Sequence, residues 1–451
     1  MSAPHHTETI FQPALEQIER GELEALQLER LKTTVADCYT KIPFYTKLMD
    51  EAGVVPDDIR GLDDLVKLPF TTKQDMRAAY PFNMFALDPH DPAAGVQRIH
   101  ASSGTTGVAT VVGHTQADLD YWGDTFARGI AEAGGGPGSI LQIAYGYGLF
   151  TGGLGAHEGG IRMGCTILPM SSGNTKRQVQ MMHDMKVDIL ACTPSYALLI
   201  ADTAIEMGYD PASEFAISGC VLGAEPCSDN MRKEIERKLG ALVVDIYGLS
   251  EVMGPGVSCE CQYQDGLHVA EDQFIIEIID PQTLQPVPDG TYGEVVFTTL
   301  VKECCPLIRY RTRDISRIIP GDCECGRTLR RMDRIQGRTD DMLILRGVNV
   351  FPSQIEQVAK QFSELSGYYQ LIIERPEESD VVTLEVEPVP AFEFDEIRRI
   401  EDLQRRIAAE LKSNLQIKVN VKLVEPKTIT RSEGKAVRVI DRREEGKNVR
   451  K

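Results

Sequence analysis

At 451 residues, with 42% apolar and 25% charged residues, the chain is long enough for two or three units and can bury a sizeable core. A formal net charge of −19 excludes the broad basic face of a sequence-independent nucleic-acid binder, although loop amides and a few cations can still hold an anionic ligand. No apolar run reaches the roughly 18 residues of a membrane span, residues 1–9 carry no apolar signal core, and the odd count of eleven cysteines reads as reduced, buried thiols, so a soluble cytoplasmic chain is expected.

The first predicted element is an amphipathic helix on which Leu28, Leu31, Val35 and Tyr39 recur at helical spacing. From about residue 98 to 300, short apolar runs alternate with helical patterns. Residues 139–144, 166–169, 187–193 and 241–247 read as buried strands, and 175–185 and 228–239 as helices between them. Such alternation implies a parallel-rich α/β architecture. The pattern changes near 335–341. A short strand and turn (342–350) follow, then a helix from Pro352, strands at 369–374 and 381–387, and a helix with Ile400, Leu403, Ile407 and Leu411 on one face. A strictly alternating strand at 417–423 closes a compact α+β unit, joined to the rest through Gly337-Arg338-Thr339-Asp340-Asp341. The expected fold is α/β, with a large N-terminal α/β domain over 1–338 and a small C-terminal α+β domain over 339–451.

Four segments can carry chemistry. Ser102-Ser103-Gly104-Thr105-Thr106-Gly107 offers two glycines for tight turning and four hydroxyls that can donate to phosphate oxygens. It lacks the Gly-Lys pair of a P-loop, and alone it reads equally well as an ordinary polar loop. In Asp245-Ile246-Tyr247-Gly248-Leu249-Ser250-Glu251 an apolar strand ends at an acid, which suits a ligand crevice at strand C-termini and a Mg²⁺ on phosphates at Glu251. Glu251 alone reads as a solvated loop acid. In Arg309-Tyr310-Arg311-Thr312-Arg313-Asp314, Asp314 can accept from ribose hydroxyls, with Arg338 as a nearby cation; a salt-bridged face explains the arginines as well. Lastly, Lys435 follows Arg431-Ser432-Glu433-Gly434 on a glycine-flexed loop, where it could neutralise anionic oxygens during group transfer or simply be solvated.

In this order and at these separations the segments resemble the acyl-adenylate-forming superfamily. More narrowly, the chain resembles the phenylacetate–CoA ligase family in 247–256 (Tyr-Gly-Leu-Ser-Glu-Val-Met-Gly-Pro-Gly), in 341–352, in 145–155 and in 431–435. The resemblance extends over about residues 26–441. It implies a large adenylation domain with a mobile C-terminal domain, and an ATP-dependent ligase that forms an acyl-adenylate and pyrophosphate, then a CoA thioester and AMP. ATP, Mg²⁺ and CoA are the implied cofactors, a small aromatic carboxylate the partner, and a homodimer a candidate assembly, with no nucleic acid or membrane involved. Lys435 is implied to bridge carboxylate and α-phosphate, and the loop 102–107 to hold the β- and γ-phosphates. Gly223, Ala224, Glu225, Pro226, Tyr247 and Gly248 are implied to flank adenine, and Asp314 and Arg338 to bind ribose. Asp340 matches the hinge position. Tyr145, Tyr147, Phe150 and Gly152 are expected to line the acyl pocket.

Two departures stand out. Val108-Ala109 follow the phosphate loop where the family usually carries lysine, and Glu158 stands where tyrosine is common. A carboxylate facing the pocket would favour an amino- or hydroxyl-substituted acid; one facing solvent would not. Cys261, His268, Cys323 and Cys325 would complete a tetrahedral structural Zn²⁺ site, with Cys259 a competing ligand. Two other readings stand beside the CoA ligase: an adenylating enzyme that serves a free carrier protein, and a non-catalytic, zinc-stabilised nucleotide binder.

Overall fold

The computed structural model describes residues 10–102, 108–339, 343–345, 348–350, 352–359, 361–376, 380–389, 392, 397–415, 417–431 and 438–443. Among them, a nine-stranded sheet runs through the large unit in the order Ile318–Ile319, Arg331–Met332, Leu267–Val269, Gly254–Glu260, Leu242–Leu249, Gly219–Gly223, Ile189–Cys192, Ile140–Ile143 and Thr166–Pro169. The last five are parallel to one another, as strand–helix alternation requires, and the rest pair antiparallel. Their helices start where expected: Ser228 caps Asp229–Leu239 by accepting from the Met231 amide, and Thr175–Asp184 follows Asn174.

An antiparallel sheet of Phe274–Ile279, Gly293–Thr299, Tyr310–Ser316 and Gly337–Arg338 lies beside it, and sequence patterning did not reveal it. For Gly293–Thr299 the reason is burial on both faces: every residue of it is buried, so no alternation marks it as a strand. The N-terminal helix is Arg20–Lys41. Its buried stripe runs through Leu23, Gln27, Leu31, Thr34, Val35 and Cys38, rotated from the expected face, and Gln27 is accommodated by donating to the Glu271 carbonyl at 2.8 Å. The segment before it is held by the buried pair Arg327–Glu16 at 2.6 Å, and Arg20 pairs with Glu271 at 3.0 Å.

The small unit places Leu365–Glu374 and Val381–Pro388 antiparallel, flanked by parallel Val439–Asp441 and Asn420–Leu423, and packs Pro352–Ala359 and Ile397–Leu415 against them. Leu403, Ile407 and Leu411 are fully buried there, and among the described residues its core draws on those between Leu343 and Val439. It meets the large unit at Gly367, which abuts Met231, and through a Lys427–Glu206 ion pair. No described helix is long and apolar enough to cross a membrane.

Candidate nucleotide and acyl site

Val96–Ala101 and Val111–Thr115, on either side of the Ser/Thr/Gly segment in sequence, pair antiparallel as a hairpin. Beyond the paired residues the Ser102 amide donates to the Thr110 carbonyl at 2.9 Å and the Thr110 amide to Ser102 Oγ at 3.0 Å. Ser103, Gly104, Thr105, Thr106 and Gly107 lie outside the described residues, as do Asp340 and Lys435. The hairpin is tied to the acyl-pocket loop because Leu149 O meets both the Ala101 amide and His100 Nδ1, each at 3.0 Å. Beneath it, His114 stacks on Trp122 with ring centroids 5.2 Å apart.

The adenine candidates gather at the C-terminal ends of two parallel strands, Gly219–Gly223 and Leu242–Leu249. Gly223 is obligatory: a Cβ there would lie 2.2 Å from the Ile246 carbonyl oxygen. Ala224 then adopts a left-handed φ of 70°, and Glu225 turns back to accept from the Ser195 amide at 2.5 Å. Gly248 is equally constrained, 1.8 Å from the Gly254 oxygen by the same construction. Tyr247 Oη donates to Asp314 Oδ2 at 2.6 Å and Arg338 Nη1 to Asp314 Oδ1 at 2.8 Å, which brings Tyr247, read from sequence with adenine, onto the Asp314–Arg338 pair read with ribose. Burial, then the Asp314 charge, pushes the Tyr247 hydroxyl well up, so it stays a donor. The arginine run also forms the salt-bridged face that its composition suggested: Arg309 pairs with Glu277 at 2.8 Å, and Arg311 with Glu294 at 2.7 Å.

Glu251 is almost fully buried, and two lysines that the sequence reading missed converge on it. Lys73 Nζ lies 2.9 Å from Glu251 Oε1, and Lys302 Nζ donates to the Glu251 carbonyl at 3.0 Å. Its neighbour Ser250 shares a 3.0 Å hydrogen bond with Thr151, at the start of helix Thr151–Met163, which ties this segment to the one carrying the acyl-pocket candidates. A single hard carboxylate suits Mg²⁺, which takes its remaining ligands from phosphate and water. Nothing in a linear pattern marks Lys73 or Lys302, because their partners are distant in sequence.

Of the acyl-pocket candidates, Tyr145 is buried, Tyr147 is half-buried and Phe150 is exposed. Tyr147 Oη meets His157 Nδ1 at 3.3 Å, and burial pushes that hydroxyl up to about 12. Gly152 leaves room for the Phe150 ring, which a Cβ would approach to 2.4 Å. Glu158 is engaged by Arg98 at 2.5 Å. His157 and Arg98 were not anticipated.

The cysteine–histidine cluster is present. Ligand atoms of Cys261, His268, Cys323 and Cys325 all lie within 4.8 Å of one another, with Cys261 Sγ–Cys323 Sγ at 3.6 Å and Cys325 Sγ–His268 Nε2 at 3.3 Å. His268 Nδ1 faces the Leu329 carbonyl at 3.3 Å, the second contact that orients a metal-binding imidazole. Three sulfurs and one imidazole at these separations fit a tetrahedral Zn²⁺ better than any hard cation. Cys259 is outside the cluster, packed instead against Gly129 of helix Gln116–Glu132.

Comparison with known proteins agrees with this geometry. Residues 26–299 match the AMP-binding enzyme family and 347–443 the AMP-binding enzyme C-terminal domain. The phenylacetate-coenzyme A ligase of Escherichia coli (strain K12) is 50% identical over 425 residues, covering 94% of this chain and 95% of that protein. A crystal structure of 2-hydroxyisobutyryl-CoA ligase in the postadenylation state, in complex with R3-HIB-AMP, is similar with TM-score 0.88 at 28% identity, over 99% of this chain and 95% of that one. The same ligase with 2-HIB-AMP and CoA in the thioesterfication state gives 0.70 at 29% identity, over 96% and 92%.

Proposed function

The chain belongs to the AMP-binding enzyme family as an AMP-forming acid–CoA ligase of the phenylacetate–CoA ligase type, and on that premise we propose that it activates an arylacetic or related aromatic acid. The observation that carries the reading is the joining of Tyr247, Asp314 and Arg338 beside the strand ends that present Gly223, Ala224, Glu225 and Pro226. In the first half-reaction the acid's carboxylate attacks the α-phosphate of ATP and pyrophosphate leaves. In the second the CoA thiol attacks the acyl carbon and AMP leaves. Two anions must meet in the first step, so the rate depends on cations and oriented amides held ready at the reacting centre.

In this proposal Asp314 and Arg338 hold the ribose, and Gly223, Ala224, Glu225, Pro226, Tyr247 and Gly248 flank adenine. The loop from Ser102 to Gly107 receives the β- and γ-phosphates, and Glu251 holds Mg²⁺, which would supply further charge neutralisation there. Lys435 bridges carboxylate and α-phosphate. Domain 339–451 turns about Asp340 to withdraw Lys435 and admit CoA, because one site must serve two chemistries in turn. Tyr145, Tyr147, Phe150 and Gly152 line the acid's pocket, with Glu158 at its edge neutralised by Arg98. The enzyme works in the cytoplasm.

Purified protein offered aryl, arylacetic and hydroxyaryl acids should release pyrophosphate only with an acid, and AMP only when CoA is added. AMP release with a carrier protein but not with CoA would transfer the role to the carrier-dependent reading. No acid-dependent pyrophosphate would leave only a nucleotide binder. A structural Zn²⁺ at Cys261, His268, Cys323 and Cys325 completes the proposal. Elemental analysis should find about one zinc per chain, lost in Cys323→Ser; a metal-free preparation of unchanged thermal stability ends it.

A further inference from the structure

The strand Leu365–Glu374 of the small unit serves two cores at once. Successive side chains of a strand point to opposite faces, so neighbours on it can join different cores. Tyr369 packs into the small unit's own core, whereas Tyr368 packs against the large-unit core to which Met231 belongs. Gly367, at a left-handed φ of 88°, brings the strand against Met231 of helix Asp229–Leu239.

One acid organises the chain that leads toward Lys435. Glu387 is 1% exposed, and its carboxylate accepts from the Ile429 amide at 2.8 Å and the Lys427 amide at 3.0 Å. It also takes both arms of the Arg431 guanidinium, Nη1 at 2.9 Å and Nη2 at 2.6 Å, which sets the plane of that group. The guanidinium lies over the Tyr368 ring, 3.4 Å from its centroid. Lys435 follows four residues later in the sequence. Beyond it, the Arg438 guanidinium lies over Tyr369 at 4.6 Å, and the Arg438 carbonyl accepts from the Leu371 amide at 2.7 Å. The chain on both sides of residues 432–437 is therefore pinned to one strand, and the Glu225 charge, in the adenine turn, reaches both Tyr368 and Arg438.

We infer that Tyr368, backed by Arg431 and Glu387, is a positioning residue that docks the small unit for adenylation: its ring, seated against the core of the other unit, fixes the point from which the chain sets out toward Lys435. It touches no substrate, and it leaves its seat when the small unit turns to admit CoA. This rests on the ligase reading and on the role given to Lys435 above.

The two half-reactions are measured separately on the whole protein. One is phenylacetate-dependent exchange of pyrophosphate into ATP without CoA; the other is thioester formation from synthetic phenylacetyl-adenylate and CoA. Tyr368→Ala should slow exchange by about 10- to 100-fold, the order expected for removing an aromatic anchor, and leave thioester formation within about threefold. The loss should fall on kcat rather than on the KM for ATP, because the ring does not touch the nucleotide. Tyr368→Phe keeps the ring and loses a hydroxyl that has no hydrogen-bond partner among the described residues, so it should restore exchange. Arg431→Lys keeps the charge without the flat fork and should lose about tenfold in exchange. Unchanged exchange in Tyr368→Ala overturns the inference, as does an equal loss in both half-reactions, which would mean that the ring only supports the fold. A wild-type chain without acid-dependent exchange sinks the ligase reading and this inference together, whereas an active wild type with an indifferent Tyr368→Ala sinks the inference alone.

Discussion

Replacing Asp314 with alanine tests the ribose assignment most directly. Asp314 is 6% exposed, and its carboxylate is held in one orientation by Tyr247 Oη at 2.6 Å and Arg338 Nη1 at 2.8 Å. Two ribose hydroxyls donating to such a fixed, ionised acceptor contribute about 1.5 kcal/mol each, the low end for hydrogen bonds to charged groups. Losing both costs about 3 kcal/mol, or roughly 150-fold in ATP affinity. The informative assay is a double cycle with 2′-deoxy-ATP, measured by equilibrium titration. Wild type should prefer ATP by about tenfold, since one of the two bonds is missing from the analogue. The Asp314→Ala variant should bind the two nucleotides equally within about twofold, because the group that reads the hydroxyl is gone. A variant that still prefers ATP tenfold would refute the reasoning, however weakly it binds.

Two further outcomes concern stability. Gly223→Ala drives a Cβ to 2.2 Å from the Ile246 carbonyl, a backbone atom that cannot swing aside, so the strand pair must part. The expected loss is at least about 1–3 kcal/mol with weakened adenosine binding, and an unchanged melting temperature contradicts it. Asp245 is pushed up to about 7 by burial and, secondly, by the Glu260 charge. Its native form therefore holds a proton that the unfolded chain releases near its ordinary value of 3.8. Stability from this group is highest in acid and falls as pH rises through the interval between those values, by up to about 1.4 kcal/mol per unit, then levels. Urea midpoints for wild type and Asp245→Asn should converge toward acid and separate toward neutrality in the variant's favour; parallel curves would exclude the effect.

Much of the site could be read from the chain, and the limits have physical causes. In Tyr310–Ser316 the burial alternates strictly, so Tyr310, Thr312, Asp314 and Ser316 point inward together while Arg311 and Arg313 point outward. That period of two sorts one segment into an inward acid, held by Tyr247 and Arg338, and a salt-bridged face, so that the two readings of the segment are compatible. The buried strands Ile140–Ile143, Ile189–Cys192 and Leu242–Leu249 were legible as apolar runs punctuated by glycine, proline and polar residues, whereas Thr166–Pro169, expected to be buried, is the partly exposed edge strand of the sheet. The Cys/His cluster was legible because its cysteines recur as two CxC pairs, one ending the strand Gly254–Glu260 that pairs with the strand of His268, the other in the segment before Arg331–Met332, which pairs with that same strand. Gly293–Thr299 was not, because burial on both faces erases the period. Nor was the helix face of Arg20–Lys41, where a buried Gln27 breaks the apolar pattern for a hydrogen bond to Glu271. Lys73 and Lys302 acquire meaning only from Glu251, far away in sequence.

Thr71 is clamped to the strand Tyr310–Ser316, its amide donating to Arg309 O at 3.1 Å and its carbonyl accepting from the Arg311 amide at 2.9 Å, while its Oγ1 donates to Ile308 O at 2.7 Å, and this clamp sets a timetable for biosynthesis. Thr71 and its acceptor Ile308 are 237 residues apart, and Tyr45, whose hydroxyl receives the Ile308 amide, is farther still at 263. At about 5–20 residues per second, the ribosome needs roughly 12–50 s between making Thr71 and making its partner. Through that interval the N-terminal helices have emerged with Tyr45, Leu65 and Leu68 lacking the residues around Ile308 that bury them. Nascent chains arrested before residue 308 should therefore show a protease-sensitive N-terminal third and enlist holding chaperones, and those arrested well beyond it should lose both traits together.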